Sequence, residues 1–316
     1  MRSFRKKLLV AKIESAYDTD SSPDASSNAI QTRNLSRTVY GGPRVERNLD
    51  RPYLGNEESI NAAPEVGLNF EVEATGAGSS AVTAGTAPPV GVLLRACGHA
   101  ETLNAGTDAQ YDPIGESFES LTSYYFWAGE RQKNTGVRGS FELMMQRAQI
   151  PYFTFALTGH YARPTAVALP DPDWSAWQNP LPVNETNTPT MTIHGHTAIV
   201  ESFRFTQNGE ISNIDAPNDN QVLFIDRDPQ IEVLLRAPEL STKDFFAAVE
   251  SHAGTITKAA VQAVHGATGN IVQFDASNVQ FGDLEEVDSE GILMYRLTGK
   301  CIPTGSGDDE YKITIK

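Results

Sequence analysis

The segment Phe153-Thr154-Phe155-Ala156-Leu157-Thr158-Gly159 returns as Leu293-Met294-Tyr295-Arg296-Leu297-Thr298-Gly299, 140 positions later. Both are alternating runs that close on Leu-Thr-Gly. Around them, Gly129 to Gly159 and Gly269 to Gly299 have equal length, and Phe141 falls on Phe281. Upstream, Ala29-Ile30 answers Ala198-Ile199, Phe70-Glu71-Val72 answers Ile231-Glu232-Val233, and Val92 to Ala96 answers Phe245 to Val249. The offset falls steadily along the chain, as longer loops in the first copy would make it. A β-rich unit present twice is a strong constraint. Each half must bury an alternating face of its own, and a ring of such chains presents twice as many similar positions as it has subunits.

The periodicity predicts elements of one kind. Residues 29–40 read as a strand. Leu68, Phe70 and Val72 share one face of a strand over 66–73, with Asn69, Glu71 and Glu73 on the other. Pro89 opens a short helix to about Cys97, stopped by Gly98. Strands follow at 119–128, 136–147 and 151–161. The second half opens with a strand from Met191 to Phe205, turns at Asn208-Gly209, and continues as a strand over 221–236. A helix over 241–252 is capped by Ser241 or Thr242, with Asp244 in its first turn. Strands at 271–282, 291–302 and 311–316 complete the chain. Glu285, Glu286, Asp288 and Glu290 read as a solvated charge run around a turn. Between these elements lie a Gly/Pro/charge-rich segment, 41–65, expected as a long loop or protruding hairpin, and a small-residue loop, 74–88. Residues 166–192, rich in proline and carrying Trp174 and Trp177, read as a semi-rigid linker.

The expected organisation is an N-terminal arm (1–27), a first domain (28–165), the linker (166–192) and a second domain (193–316). The expected fold is mainly β: two tandem barrel or sandwich domains, each with a short helix on its sheet.

Charge and chemistry narrow the function classes. The net charge is −15, yet Arg2, Arg5, Lys6, Lys7 and Lys12 crowd a start that has no acid, so the rest of the chain is more acidic still. An acidic body argues against clinging to nucleic acid, because that affinity depends on neutralising phosphates. No apolar stretch approaches the roughly 18 residues of a membrane span, so no membrane insertion is expected. The apolar run Leu8 to Ala11 is too short for a secretory signal, which points to synthesis in the cytoplasm. Cys97 and Cys301 sit in apolar settings and read as reduced core residues. There is no phosphate-cradling Gly-x-x-x-x-Gly-Lys and no Gly-x-Ser-x-Gly elbow. His194-Gly195-His196 could point two imidazoles the same way on a strand, but no acid or cysteine stands near at ligand spacing. The expectation is a non-enzyme without metal or cofactor.

The order of several motifs resembles the major tail tube protein of long-tailed, siphovirus-like bacteriophages. These motifs are Leu8 to Asp20 followed by Ser22-Pro23, Val45 to Gly55, Phe70 to Glu73, Leu93 to Gly98, and Ile150-Pro151 leading into Phe155 to Tyr161. Gly307 to Ile313 is similar to the C-terminus of such proteins. The likeness covers about residues 8–170 well and the second half more weakly. It implies a structural virion protein of the tail, assembled in the bacterial cytoplasm. Rings joined edge to edge would stack into a hollow tube through which DNA passes without specific binding. The implied partners are the chain itself, the tape measure protein, and the tail terminator and tip proteins. Because this chain carries two units, a trimeric pseudo-sixfold ring is favoured, with a hexamer as the alternative. Glu71, Glu73, Glu142 and Glu232 are candidate lumen residues. Arg44, Glu46, Arg47, Asp50, Arg51 and Tyr53 form a candidate inter-ring stacking loop, and Arg2, Arg5, Lys6 and Lys7 a candidate inter-ring arm. The competing reading is a β-sandwich binding or decoration module of a virion, for carbohydrate or protein, with Trp174 and Trp177 as its aromatic platform.

Overall fold

The structure is a computed structural model that describes residues 4–77 and 87–316. It is 53% strand and 3% helix. Its centre is an eight-stranded antiparallel sheet in the order Arg33–Gly41, Glu65–Glu73, Tyr152–His160, Glu130–Gln146, Val200–Thr206, Gln230–Arg236, Ile292–Cys301, Asn270–Ser289. The two outermost strands pair on their inner sides and not with each other, so the sheet stays open. The expected mainly β fold is present as one large antiparallel sheet with small sheets beside it, and among the described residues no closed barrel is formed.

The order contains the repeat. Strands one to four come from the first half and strands five to eight from the second, with the same succession in each. In both halves a long strand leaves this sheet at a bulge and continues into a second layer. Glu130–Gln146 breaks register between Asn134 and Val137, and its earlier residues pair with Leu121–Trp127, which pairs with Lys7–Ile13. In the second half Asn270–Ser289 pairs through its earlier residues with Ala259–Ala267, which breaks register between Ala259 and Val261 and pairs with Thr190–Ile193. The two hairpins turn at Ala128-Gly129 and Thr268-Gly269, where both glycines have positive φ (88° and 80°). The Leu-Thr-Gly ends also coincide. A Cβ on Gly159 would meet Val137 at 2.6 Å, and one on Gly299 would meet Phe281 at 2.7 Å, so each glycine admits a core side chain across the strand pair.

The match is topological more than residue by residue. Phe141 faces Phe155, but Phe281 faces Gly299, and Phe70 faces Phe155 while Ile231 faces Gly299. These two expected equivalences are thus four residues out of step with the Leu-Thr-Gly anchor. Bulges in different places have moved the registers.

One core joins both halves. Phe70, Phe141, Phe153 and Phe155 from the first merge with Phe203, Phe205, Phe274 and Tyr311 from the second, all almost wholly buried. The Phe205 ring centroid lies 5.7 Å from Phe141 and 4.5 Å from Tyr311. Aromatic pairs at such spacing add to the burial they share.

Several expectations need correction. Residues 7–13 are not an arm. Leu8, Leu9, Val10 and Ala11 are all 4% exposed or less, because a strand covered on both faces needs apolar side chains on both. The expected 221–236 strand is two strands, Asp219–Arg227 and Gln230–Arg236, split at Asp228-Pro229, since proline cannot donate to a central ladder. The first of them pairs with Gly209–Ala216 as a separate hairpin. Met191 to Phe205 is likewise broken, and His194 (φ 49°) and Gly195 (φ 78°) make a turn, not a strand. The second helix is one turn, Phe246–Val249, held by Asp244 accepting the Ala247 N–H at 3.0 Å; neither Ser241 nor Thr242 caps it. Glu285 to Asp288 lie on the long strand, and only Glu290 of that charge run is in the turn. The proline-rich segment packs down: Val183 is buried and Trp177 donates its indole N–H to the Ala29 carbonyl at 3.0 Å.

Candidate assembly surfaces

The eight-stranded sheet has one apolar face in the core and one polar face. Residues directly opposite each other in register share a face. Glu71 stands opposite Thr154, Thr154 opposite Glu142, Glu142 opposite Thr206, and Thr206 opposite Gln230. Glu73 and Glu232 are two residues from members of that line, so all four candidate glutamates lie on one polar face. None stands alone. Arg33 reaches Glu71 at 3.0 Å and Glu73 at 3.8 Å, Arg204 meets Glu142 at 2.9 Å, and Arg296 lies 3.7 Å from Glu232. The face is a lattice of ion pairs and hydroxyls, not a bare acidic wall.

The sheet ends in two different edges. Strand Arg33–Gly41 carries Arg33 and Arg37; its outer side is partly engaged, as the Leu35 carbonyl accepts from Lys7 Nζ at 2.8 Å and the Val39 carbonyl from Gln132 Nε2 at 3.1 Å. The far half of Asn270–Ser289 carries Asp283, Glu285, Glu286 and Asp288 and pairs only with Ile292–Cys301. The first edge carries two arginines, Arg33 held by Glu71 and Glu73 and Arg37 stacked on Tyr125, and the second carries four acids, of which Glu285 holds Arg296. In the middle of the sheet the two halves meet through the same kind of contact: Glu142 to Gln146 pair with Ser202 to Thr206, and the Glu142–Arg204 ion pair crosses the joint.

The 41–65 segment is a hairpin, with Arg44–Glu46 paired to Ser59–Asn61. Arg44, Glu46, Arg47, Asp50 and Tyr53 are exposed on it, and Arg51 is half-buried. Arg51 lies 3.8 Å from Glu57, and the Leu49 N–H bonds Glu57 at 2.9 Å, which stiffens the loop. Its apolar side chains face water: Val45 is 56% exposed, Ile60 62% and Leu54 fully. Of the basic start, Arg5 and Lys6 are exposed, Lys7 is held at Leu35, and Arg2 lies outside the described residues.

Among the described residues no group of three or more His, Cys, Asp or Glu is placed to hold a metal. Burial pushes the Cys97 and Cys301 thiols up, away from the reactive thiolate form. His99 is buried and pushed down to about 4 by burial; one ring nitrogen bonds the Leu94 carbonyl and the other the Tyr311 hydroxyl. It ties the first helix to the C-terminal segment. The tryptophans make no joint platform, since Trp174 is exposed while Trp177 packs against the core. No described helix is long and apolar enough to cross a membrane. No family model matches the chain, and a search of curated proteins finds no match.

Proposed function

We propose that this chain is the building block of a hollow phage tail tube, a structural virion protein whose rings stack into a conduit for DNA. The observation that carries the reading is the sheet itself: two units with the same strand order, joined edge to edge inside one chain, with the arginine-bearing edge left at one end and the acid-bearing edge at the other. Unpaired strand edges are templates for another chain, and a head-to-tail contact that closes makes a ring. Acid against arginine, as in the Glu142–Arg204 joint, is the polarity that would bring the two outer edges together between copies.

On this reading each chain fills two of six similar positions, so three chains close a pseudo-sixfold ring of two tail-tube-like domains each. The polar face with Glu71, Glu73, Glu142 and Glu232 turns toward the bore. Its glutamates are held by arginines, and a chain of net charge −15 offers DNA no continuous basic track, so the duplex passes without specific binding. The tape measure protein occupies the bore during assembly, and terminator and tip proteins close the two ends.

Electron microscopy of the purified protein at rising concentration tests this. Hollow rings or tubes are expected. A single population of monomers at every concentration, also with tail-tip proteins added as nucleators, would overturn the reading and favour a virion decoration module.

A further inference from the structure

The two halves carry topologically equivalent hairpins. In the first, Arg44–Glu46 and Ser59–Asn61 lie between Arg33–Gly41 and Glu65–Glu73. In the second, Gly209–Ala216 and Asp219–Arg227 lie between Val200–Thr206 and Gln230–Arg236. Each follows the outermost strand of its own four-stranded unit. Their surroundings differ completely. The second hairpin rests on the neighbouring unit, the first half of its own chain. Its Val222 N–H donates to Tyr17 Oη at 2.6 Å, its Val222 carbonyl accepts from Arg138 at 2.8 Å, and its Gly209 N–H donates to Ser140 Oγ at 2.9 Å. Phe224 stacks on Phe118 with centroids 5.0 Å apart, and Val222 is wholly buried. Among the described residues of one chain the first hairpin has no neighbouring unit to rest on. Val45 and Ile60, direct cross-strand partners as Ile211 and Phe224 are, both stand in water.

We propose that the 44–61 hairpin is a clamp between chains. It lies across the second half of the adjacent copy, over Asp283 to Glu285 of the long strand, as the 209–227 hairpin lies across Arg138 to Ser140 of its own chain. The inference rests on the ring reading above. It places this hairpin within a ring, across the joint, where the sequence alone suggested a contact between rings.

Two features fix a second copy as the occupant. The internal joint is a worked instance of the same contact, made by equivalent elements, and covering Val45 and Ile60 removes two exposed apolar side chains from water. The charges also match. Arg44 is exposed on the hairpin beside Arg47, which lies 3.8 Å from Glu58, and Asp283 is exposed on the strand it would cover beside Glu285, which holds Arg296.

The test is a double variant, Val45→Cys with Glu285→Cys, oxidised mildly after assembly and run unreduced on a denaturing gel. Cys97 and Cys301 are buried, so background coupling is low. The expected result is covalent species that stop at the number of chains in one ring, absent from either single variant. Charge exchange supplies a second readout: Asp283→Lys with Glu285→Lys should cut ring yield at least tenfold, and Arg44→Glu with Arg47→Glu should restore it. Rings seen by microscopy without cross-links, or a ladder running past the ring number, would overturn the clamp and leave the ring reading standing. Absence of rings in the unmodified protein would overturn both.

Discussion

The 209–227 hairpin and the 44–61 hairpin occupy the same place in two copies of one unit, yet one is part of a core and the other stands in solvent. Val222 and Phe224 are 0% and 8% exposed; Val45 and Ile60 are 56% and 62% exposed. The difference does not come from the hairpins' own patterning, since both set apolar residues opposite each other across two strands. The second hairpin rests on the first half of the chain through Tyr17, Arg138 and Ser140, and the clamp proposed above would give the first hairpin the same seat on an adjacent copy.

Several experiments break or sharpen that comparison. The largest expected effect separates the hairpins directly. Phe224→Ala should cost about 3 kcal/mol in urea unfolding, because it empties a packed site against Phe118. Ile60→Ala should change the isolated chain by less than about 0.5 kcal/mol, as exposed sites do, while lowering ring yield. Equal costs at the two sites would end the comparison.

The helices contrast in the same way. The first half's helix, Gly91–Ala96, is locked by His99, whereas the one-turn Phe246–Val249 buries only Ala248. His99 is held near 4, below its ordinary value of 6.5, by burial. Between those values the unfolded chain binds a proton that the folded chain refuses, so stability falls as pH drops from about 6.5 toward 4. The loss should reach up to ~3 kcal/mol. His99→Gln should flatten that part of the pH dependence of thermal unfolding, at some cost in stability at pH 7.

The strand-end glycines test the repeat itself. Gly159→Ala and Gly299→Ala should each destabilise by about 1–3 kcal/mol through overpacking. The second should cost more, because its Cβ would also meet the Gln280 backbone oxygen at 2.8 Å, which cannot swing aside as a side chain can. Smallest of all, Glu142→Gln should change stability by no more than about 1 kcal/mol, since its ion pair with Arg204 is partly exposed.

Much of the fold was legible in the sequence. The alternation of Leu68, Phe70 and Val72, the turns before Glu130 and Asn270, and the Leu-Thr-Gly ends mark strands and their repetition directly. What escaped has physical reasons. Leu8 to Ala11 carries no alternation because both faces of that strand are covered, and the basic residues around it suggested an exposed arm. The acidic run from Glu285 to Glu290 read as a turn because the far half of that strand pairs on one side only and fills its exposed positions with acids. Pro217-Asn218 and Asp228-Pro229 were the signals for the second hairpin, but a propensity reading passes over them inside a run of Val222, Leu223, Phe224 and Ile225. Of the candidate site residues, the sequence placed Glu71, Glu73, Glu142 and Glu232 on wet strand faces. It held no sign of the arginines that pair with them, since Arg33, Arg204 and Arg296 come from neighbouring strands.

The most direct test of the account is the number of chains in the closed particle, measured by native mass spectrometry on assembled protein. Three chains are predicted, each filling two adjacent positions through the joint already made inside it. Six chains per ring, or monomers alone, would contradict the claim that the joint between the two halves is the joint between copies.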